Sequence, residues 1–292
     1  MPMPPDATAV LQARIAEIER DDSLQRPERL RERIEAMDRL DALLFDDVAD
    51  AVRQHASALM RQLETVNQTA YFAIRAAIRG GEGKAVLRHW LQALAAPADT
   101  PLDDQAYDAL DSVLAGVLPF DEPADGDDAL PPEMVFYQPT PARHILDLIE
   151  RVQLDAADVL VDLGSGLGHV PLLVAICAGA RCIGIERNAA YVACARRCAE
   201  ALALTGVTFV EQDARAADLA TGTVFYLYTP FTGTVLRSVL DRLQREASAR
   251  RIRVATLGPC TAIVAGEAWL VPLEPPQPHR VAVFCSIAPR PA

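Results

Sequence analysis

The sequence predicts an all-α N-terminal domain followed by an α/β domain that is built on a seven-stranded sheet. Apolar residues recur at three- and four-residue steps through residues 6–118, a period that is typical of amphipathic helices. From residue 139 onward, short apolar runs alternate with helical stretches, which is typical of parallel strands joined by crossover helices. With 292 residues, 51% of them hydrophobic, the chain is long enough to bury a core in both parts.

The helical region contains one long amphipathic pattern. Pro27 marks a helix start, and the apolar steps then continue to Gly80 and Gly81, which end the pattern. The apolar positions are Leu30, Ile34, Met37, Leu40, Leu44, Val48, Val52, Ala56, Leu59, Leu63, Val66, Ile74 and Ile78. The sequence leaves open whether they belong to one very long helix or to two. Shorter helices are predicted at 84–95 and 103–117.

A domain boundary is predicted at residues 119–133. This stretch contains six acidic residues, four prolines and one glycine but no basic residue. Nothing in it favours a helix or a buried strand. The predicted division is a helical domain at 1–118, an acidic linker or loop at 119–133, and an α/β domain at 134–292.

Seven strands are predicted in the second half of the chain. Helical patterns separate the first five, which implies right-handed crossovers and a parallel sheet. Four prolines separate the last two and leave no room for a crossover helix, so these two should form an antiparallel hairpin. The predicted strands are 158–163, 181–186, 207–212, 223–228, 252–257, 263–271 and 280–287.

The charge differs between the two halves. Residues 1–133 contain 13 Lys and Arg against 26 Asp and Glu, a net charge of −13, whereas residues 134–292 contain 15 against 14, a net charge of +1. Nucleic-acid binding needs a basic face, so no nucleic-acid partner is expected. No apolar run approaches the roughly 20 residues that span a bilayer, and the N-terminus lacks the features of a signal peptide. We therefore expect a cytoplasmic protein with no membrane partner.

No metal site is predicted. All six cysteines lie in the second half, and none forms a Cys-x-x-Cys pair. Cys194 and Cys198 share a predicted helix face and could form a metal pair. Small apolar cysteines in a reducing cytosol explain them better.

The segment Asp162-Leu-Gly-Ser-Gly-Leu-Gly168 lies between a predicted strand and a predicted helix. Its three glycines let a ligand approach the backbone, and the following helix N-terminus favours polar or negative groups. A dinucleotide fingerprint would need its third glycine at position 169, where this chain has His169. A carboxylate at Asp162 would repel a pyrophosphate but could orient an amino group. The ligand is expected to carry an ammonium group and no phosphates.

This segment resembles motif I of the class I S-adenosylmethionine (SAM) methyltransferases, and two further segments agree. Cys182-Ile-Gly-Ile-Glu186 and Val207-Thr-Phe-Val-Glu-Gln-Asp213 are strands that also end in an acid. The resemblance covers about 139–292, and it implies the seven-stranded class I methyltransferase sheet with SAM as the cofactor. It also implies that Glu186 binds the ribose hydroxyls and that Asp213 binds the adenine amino group. Asp213 could instead be an N-cap.

A second segment, Tyr137-Gln-Pro-Thr-Pro-Ala142, precedes motif I. Thr140 and Pro141 fit the N-cap and the first position of a helix, which is a sufficient structural explanation. A similar Pro-Thr-Pro element precedes motif I in methyltransferases that modify amino nitrogens, where the threonine holds the methionine carboxylate of SAM. The cofactor-binding residues that these resemblances imply are Asp162, Gly164, Ser165, Gly166, Gly168, Glu186, Arg187, Asp213, Ala214, Thr140 and Gln138.

The segment Tyr228-Thr-Pro-Phe231 follows the fourth predicted strand. Amino-methylating enzymes often carry an Asp/Asn-Pro-Pro-aromatic motif here, and this chain matches it only in part. The neutral Thr229 makes a nucleobase a poor acceptor. Tyr228, Thr229, Phe231 and Tyr137 are predicted to form the wall of the reaction chamber without a dedicated base, although Phe231 could instead lie in the core. A packing role is predicted for His169.

Motif I together with Pro-Thr-Pro most resembles the non-SET protein-lysine methyltransferases, including the Dot-type histone enzymes. The sequence therefore predicts a SAM-dependent methyltransferase that modifies an amino nitrogen, with protein lysine favoured. A small-molecule methyltransferase with the helical domain as a substrate cap is one alternative, and a catalytically silent SAM-binding protein is another. The acidic helical domain could dock a basic protein substrate, serve as a lid or form a homodimer.

Overall fold

The computed structural model describes residues 6–45, 48–94, 109–121, 133–135 and 137–287. The N-terminal part is helical, as predicted. Its helices are α1 Ala7–Glu19, α2 Leu30–Asp41, α3 Asp50–Arg79, α4 Gly83–Leu94 and α5 Ala109–Val117. The first residues of the helix predicted at 103–117, and most of the linker predicted at 119–133, lie outside the described residues.

The long apolar stripe belongs to two helices, α2 and α3. At the end of α2, the backbone N–H of Ala42 donates to the carbonyl oxygen of Asp38 at 2.9 Å, and Leu44 closes a further turn on Asp41 at 3.0 Å. The apolar steps continue through this turn because Val48, beyond it, is buried in the same cluster as α1, α2 and the first half of α3. Periodicity alone therefore could not locate the break.

The second part forms a seven-stranded sheet in the order β3-β2-β1-β4-β5-β7-β6. Its strands are β1 Val159–Leu163, β2 Arg181–Glu186, β3 Val207–Glu211, β4 Val224–Tyr228, β5 Arg253–Leu257, β6 Leu270–Pro272 and β7 Ala282–Ser286. The helices are α6 Ala142–Val152, α7 His169–Ala178, α8 Ala189–Ala201, α9 Gly233–Ala249 and α10 Cys260–Val264. Strands β1–β5 are parallel, and β7 is antiparallel to both β5 and β6. The predicted fold class is confirmed.

The strand predicted over 263–271 is wrong in most of its length. Residues Cys260–Val264 form the short helix α10, and the strand is limited to Leu270–Pro272. Val264 is fully buried, so its apolar character reflects a helix that packs against the sheet. A short apolar run does not by itself distinguish a strand from a buried helical turn.

Side chains alternate across the sheet, so each face has its own apolar cluster. Leu160 and Tyr226 face the side covered by α6, α7 and α8. Val161 and Phe225 face the side covered by α9 and α10. The functional groups described below lie mainly on the first side, at the carboxyl ends of the strands.

Helices α3, α4 and α5 share the first of these clusters. Ile78, Leu87 and Val117 are buried together with residues of α6 and α7. The approach is close, because a Cβ atom on Gly83 would lie 2.8 Å from Cγ2 of Ile176 in α7. Within the described residues, the second half of α3, together with α4 and α5, therefore shares a buried core with one face of the sheet. Helix α1, the end of α2 and the first half of α3 pack in a separate cluster. None of the helices in these residues is long and apolar enough to span a membrane.

Candidate active site

A glycine turn, residues 164–168, follows β1. Gly164 and Gly166 have φ values of 90° and 52°, in the left-handed region where residues with a Cβ atom are strained. A Cβ on Gly164 would lie 2.3 Å from Cβ of Pro230, and a Cβ on Gly166 would lie 2.0 Å from the ring of Tyr137. Both the backbone conformation and the lack of room for a Cβ atom therefore require glycine at these two positions. This requirement explains why the spacing of the glycines indicates the turn in the sequence.

Asp162 is buried at the end of β1, beside Gly184 of β2 and Tyr226 of β4. Burial, together with the neighbouring carboxylate of Glu186, raises the pKa of Asp162 to about 8. An ammonium group placed beside this carboxyl would restore its charged form. Nearby, Oγ of Ser165 is buried and has no hydrogen-bond partner among the described residues. A buried acid and an unsatisfied hydroxyl fit the amino-acid part of SAM.

Glu186 joins β2 to the glycine turn. Its Oε2 accepts a hydrogen bond from the N–H of Gly166 at 2.9 Å, and its Oε1 accepts from the N–H groups of Arg187 at 2.7 Å and Asn188 at 2.8 Å. Oε1 already accepts two hydrogen bonds, whereas Oε2 accepts one and has a lone pair left. Glu186 can therefore hold the turn and still accept a hydrogen bond from a ligand hydroxyl through Oε2. The side chain of Arg187 is exposed.

Asp213 lies just beyond the end of β3 and is paired with Arg215. It accepts from the backbone N–H of Arg215 at 2.8 Å and from the guanidinium group at 2.7 Å. The side-chain hydrogen bond from Arg215 lowers the pKa of Asp213. Asp213 is thus the N-cap of the 3-10 turn Ala214–Ala216, which is the alternative role that the sequence offered for it. Its contact with adenine stays a prediction.

Residues 133–135 and 137–140, here called the strap, lead into α6. The strap reaches the turn through Tyr137, whose ring packs on Gly166. Thr140 is buried, with its hydroxyl oxygen 3.5 Å from the phenol oxygen of Tyr226. Gln138 is exposed.

Thr140 is not the N-cap of α6, which corrects the prediction. Helix α6 begins at Ala142, and Pro141 occupies the N-cap position without a side-chain hydrogen bond. The N–H of Ala142 instead donates to Oδ1 of Asp111 in α5, at 2.7 Å. The cap comes from a helix more than thirty positions earlier, which no local pattern could reveal. The Thr140 hydroxyl lies next to the sheet instead.

An aromatic group lies beside the strap. The hydroxyl of Tyr137 is 3.2 Å from Nδ1 of His169, and its ring centroid is 5.0 Å from that of Tyr191. The His169 ring packs against Phe120 with the centroids 4.6 Å apart. Burial lowers the pKa of His169 to about 4, so the ring is neutral near physiological pH. These contacts fit a packing and orienting role for His169.

Tyr228 and Thr229 end β4. Tyr228 is half-buried, and burial raises the pKa of its phenol. Thr229 has a φ of 39°, which is strained for a β-branched residue. Its hydroxyl donates to the carbonyl oxygen of Leu257 at 3.0 Å and accepts from the N–H of Cys260 at 3.1 Å. Thr229 therefore holds the turn after β4.

The structure corrects the placement of Phe231 in the chamber wall. Phe231 is only 2% exposed, and it belongs to the apolar cluster on the α9 side of the sheet. Its backbone forms an antiparallel bridge with Met134. The left-handed turn at Thr229 redirects the chain toward this side. Tyr228 and Tyr137 remain as candidates for the chamber wall.

Tyr226 is a further residue of the site, and no sequence motif indicates it. This residue is 1% exposed and lies opposite Asp162 in the β1–β4 register. Burial raises the pKa of its phenol well above the ordinary value. Alternation along β4 places positions 226 and 228 on one face, which was the available signal. No group of three or more His, Cys, Asp or Glu in the described part of the chain could hold a metal ion.

The sheet order, the glycine turn and the strand-end acids define a class I SAM-dependent methyltransferase. The model of a family described as "Histone methylation protein DOT1" matches residues 134–215. This range contains the strap except for Glu133, together with the glycine turn, Glu186 and Asp213. SAM is the cofactor of this class, and the buried carboxyl and orphan hydroxyl described above fit it.

Among solved structures, the chain is similar to an RNA methyltransferase from Salinibacter ruber in complex with S-adenosyl-L-homocysteine. The two sequences are 26% identical, the TM-score is 0.42, and the match covers 53% of this chain and 96% of that chain. A precorrin-6y C5,15-methyltransferase from Geobacter metallireducens is 19% identical, with a TM-score of 0.39, and the match covers 51% of this chain and 89% of that chain. A SAM-dependent methyltransferase from Thiobacillus denitrificans is 23% identical, with a TM-score of 0.34, and the match covers 41% of this chain and 50% of that chain. A comparison with curated proteins found no match.

Proposed function

We propose that this methyltransferase modifies an amino nitrogen and that its acceptor is a lysine side chain of a protein. The family match over residues 134–215 carries the proposal, because it covers the glycine turn and all of the strap except Glu133. SAM supplies an activated methyl carbon. The chain's own residues then need to align the acceptor, exclude water and receive a proton nearby.

The cofactor-binding roles follow from the positions of the polar groups. Asp162 would hold the ammonium group, Glu186 the ribose hydroxyls and Asp213 the adenine amino group. Thr140 and Gln138 of the strap would hold the carboxylate. The glycine turn, which includes Ser165, would surround the remaining parts of SAM together with Arg187 and Ala214.

Tyr137 and Tyr228 are proposed as the acceptor-facing wall. Aromatic rings can pack against the alkyl stem of a lysine while its nitrogen approaches the methyl group. A phenol oxygen can also accept a hydrogen bond from the amine. Alignment of this kind is worth as much as ~7–11 kcal/mol of barrier, so a dedicated base is not required when the amine arrives deprotonated.

A nucleobase is a less suitable acceptor for this site. The exocyclic amine of a base needs a polar acceptor at the end of β4. Thr229 occupies that position, and its hydroxyl already bonds Leu257 and Cys260. The net charge of −13 over residues 1–133 also favours a basic protein partner over nucleic acid.

Methyl incorporation from labelled SAM into a cell lysate, with the products separated by size and class, tests the proposal. Label on protein lysines, located by mass spectrometry, supports it. Label in small molecules overturns the proposal and supports a substrate-cap role for the helices. Label in RNA also overturns the proposal. No label in any fraction indicates a silent SAM-binding protein. Lys84 is the only lysine of the chain, so a Lys84→Arg variant controls for self-methylation.

A further inference from the structure

The carboxylate of Glu133 binds the first turn of α9. Its Oε1 accepts from the N–H of Thr234 at 3.1 Å, and its Oε2 accepts from the Thr234 hydroxyl at 2.7 Å and from the N–H of Val235 at 3.2 Å. Helix α9 has no side-chain cap at its own N-cap residue, Thr232. Glu133 supplies the missing cap from a distant part of the chain. The hydrogen bonds from Thr234 lower the pKa of Glu133.

Glu133 also begins a short backbone pairing between the strap and the β4–α9 loop, residues 229–232. The N–H of Thr232 donates to the carbonyl oxygen of Glu133 at 2.8 Å. The next two pairs are the bridge between Met134 and Phe231, and the hydrogen bond from Val135 N–H to Pro230 O at 3.3 Å. The strap and the loop are thus fastened together along three consecutive positions.

Both fastened segments contact the glycine turn. Pro230 of the loop packs on Gly164, and Tyr137 of the strap packs on Gly166. Glu133 and Thr229 both have left-handed backbones, with φ values of 70° and 39°. Such conformations are costly for residues other than glycine and persist only where surrounding contacts hold them. For Glu133, its side-chain hydrogen bonds and its backbone pair with Thr232 provide those contacts. For Thr229, the hydrogen bonds of its hydroxyl with Leu257 and Cys260 provide them.

We propose that Glu133 is a positioning residue that couples the cofactor side of the site to the acceptor side. Its tether to α9 keeps the strap on the glycine turn and keeps the β4–α9 loop beside it. Cofactor binding under the strap then also orders the loop that follows Tyr228. A helix cap without the tether would stabilise α9 but would leave the strap and the loop joined only by the three backbone pairs.

The test separates capping from tethering. Glu133→Ala removes both. A double variant, Glu133→Ala with Thr232→Asp, restores a cap from within α9, because Thr232 has the extended backbone of an N-cap residue. The tether stays absent in the double variant. Asp6→Ala removes the cap of α1 and serves as a matched control at a helix remote in sequence from the site.

The probe is S-adenosyl-L-homocysteine (SAH), with its affinity measured by calorimetry and local order measured by hydrogen exchange. In the wild-type protein, SAH should slow exchange in both the strap and residues 229–236. In the double variant we expect the melting temperature to recover, SAH affinity to stay at least about fivefold weaker, and the protection of 229–236 to be lost. Asp6→Ala should lower the melting temperature and leave both readouts unchanged.

Wild-type SAH affinity and loop protection in the double variant would show that Glu133 is only a cap and would overturn the proposal. Unchanged affinity in a folded Glu133→Ala variant would do the same. Thr234→Val removes only the hydroxyl that donates to Glu133, and it should give a smaller loss in the same direction. This milder variant keeps the test decisive if the alanine variants do not fold.

Discussion

At the scale of single residues, Asp162 dominates the electrostatics of the site. Its carboxyl is buried, and its pKa of about 8 lies above the ordinary value of 3.8. Between these two values the folded protein binds a proton that the unfolded chain releases. Stability should therefore fall as pH rises through this interval, by at most about 1.4 kcal/mol per pH unit from this group. The same carboxylate is the group that would bind the ammonium of SAM.

Asp162→Asn should therefore stabilise the protein and weaken cofactor binding at once. Asparagine carries no charge, so the variant should lose the part of the pH dependence that arises between about pH 4 and about pH 8. Urea titrations of both proteins across that range measure the effect, with SAH binding measured in parallel. Identical pH slopes for the two proteins would show that the Asp162 carboxyl is ionised in the fold.

Glu186→Ala should weaken SAM binding by about 1.5–3 kcal/mol, the scale for hydrogen bonds to a charged group. The variant removes both the proposed ribose contact and the hydrogen bond from Gly166 N–H. Glu186→Gln keeps one oxygen and should retain part of the affinity. Calorimetry with SAM measures both variants, and circular dichroism controls for folding. Full affinity in a folded alanine variant would exclude Glu186 from the site.

At the scale of elements, the end of β4 places two aromatic residues, Tyr228 and Phe231, on opposite sides of the sheet. Tyr228 is half-buried on the site side, whereas Phe231 is buried on the α9 side. The turn between them depends on Thr229, whose hydroxyl bonds Leu257 and Cys260. Two residues, Thr229 and Pro230, therefore connect the proposed wall residue Tyr228 to Phe231 in the opposite core.

Phe231→Ala should lower the free energy of unfolding by about 3–5 kcal/mol, because it leaves a cavity in the α9-side cluster. Tyr228→Phe keeps the ring and loses only the hydroxyl. It should preserve the melting temperature and SAM affinity while methyl transfer falls. Thermal melts, calorimetry and turnover on both variants test the pair. A stable Phe231→Ala variant that binds SAM and lacks turnover would return Phe231 to the chamber.

At the scale of the whole molecule, the helical region is joined to the sheet by buried contacts. Ile78, Leu87 and Val117 lie in the same cluster as α6 and α7, and Asp111 caps α6. The predicted division at 119–133 marks a change of composition and stays a prediction. The two parts should depend on each other for stability even where the chain between them is cut.

Limited proteolysis tests both statements. Residues 119–133 contain no Lys or Arg, so trypsin cannot cut there, whereas a protease that cuts before aspartate can cut at Asp125, Asp127 or Asp128. We expect that protease to cut first in this stretch, because its acids and prolines offer little to bury. The two fragments should then elute together in gel filtration under native conditions. Earlier cleavage elsewhere would contradict the predicted boundary, and separate elution would contradict the shared core.

The sequence by itself determined those features whose cause is local. The glycine turn can be predicted from the sequence because its backbone conformation, and the close contact of other residues with it, require glycine at 164 and 166. The parallel strands can be predicted because short apolar runs alternate with stretches of helical periodicity. The antiparallel pair at the end is readable because four prolines exclude a crossover helix.

Only the tertiary structure decided the features that depend on distant partners. The cap of α6 comes from Asp111, and the cap of α9 comes from Glu133. The break between α2 and α3 and the burial of Phe231 depend on which cluster each residue enters. Apolar periodicity reports that a side chain is buried, but the same residue can be buried against many surfaces. The choice among those surfaces is made by contacts between elements far apart in the chain, and these leave no local pattern.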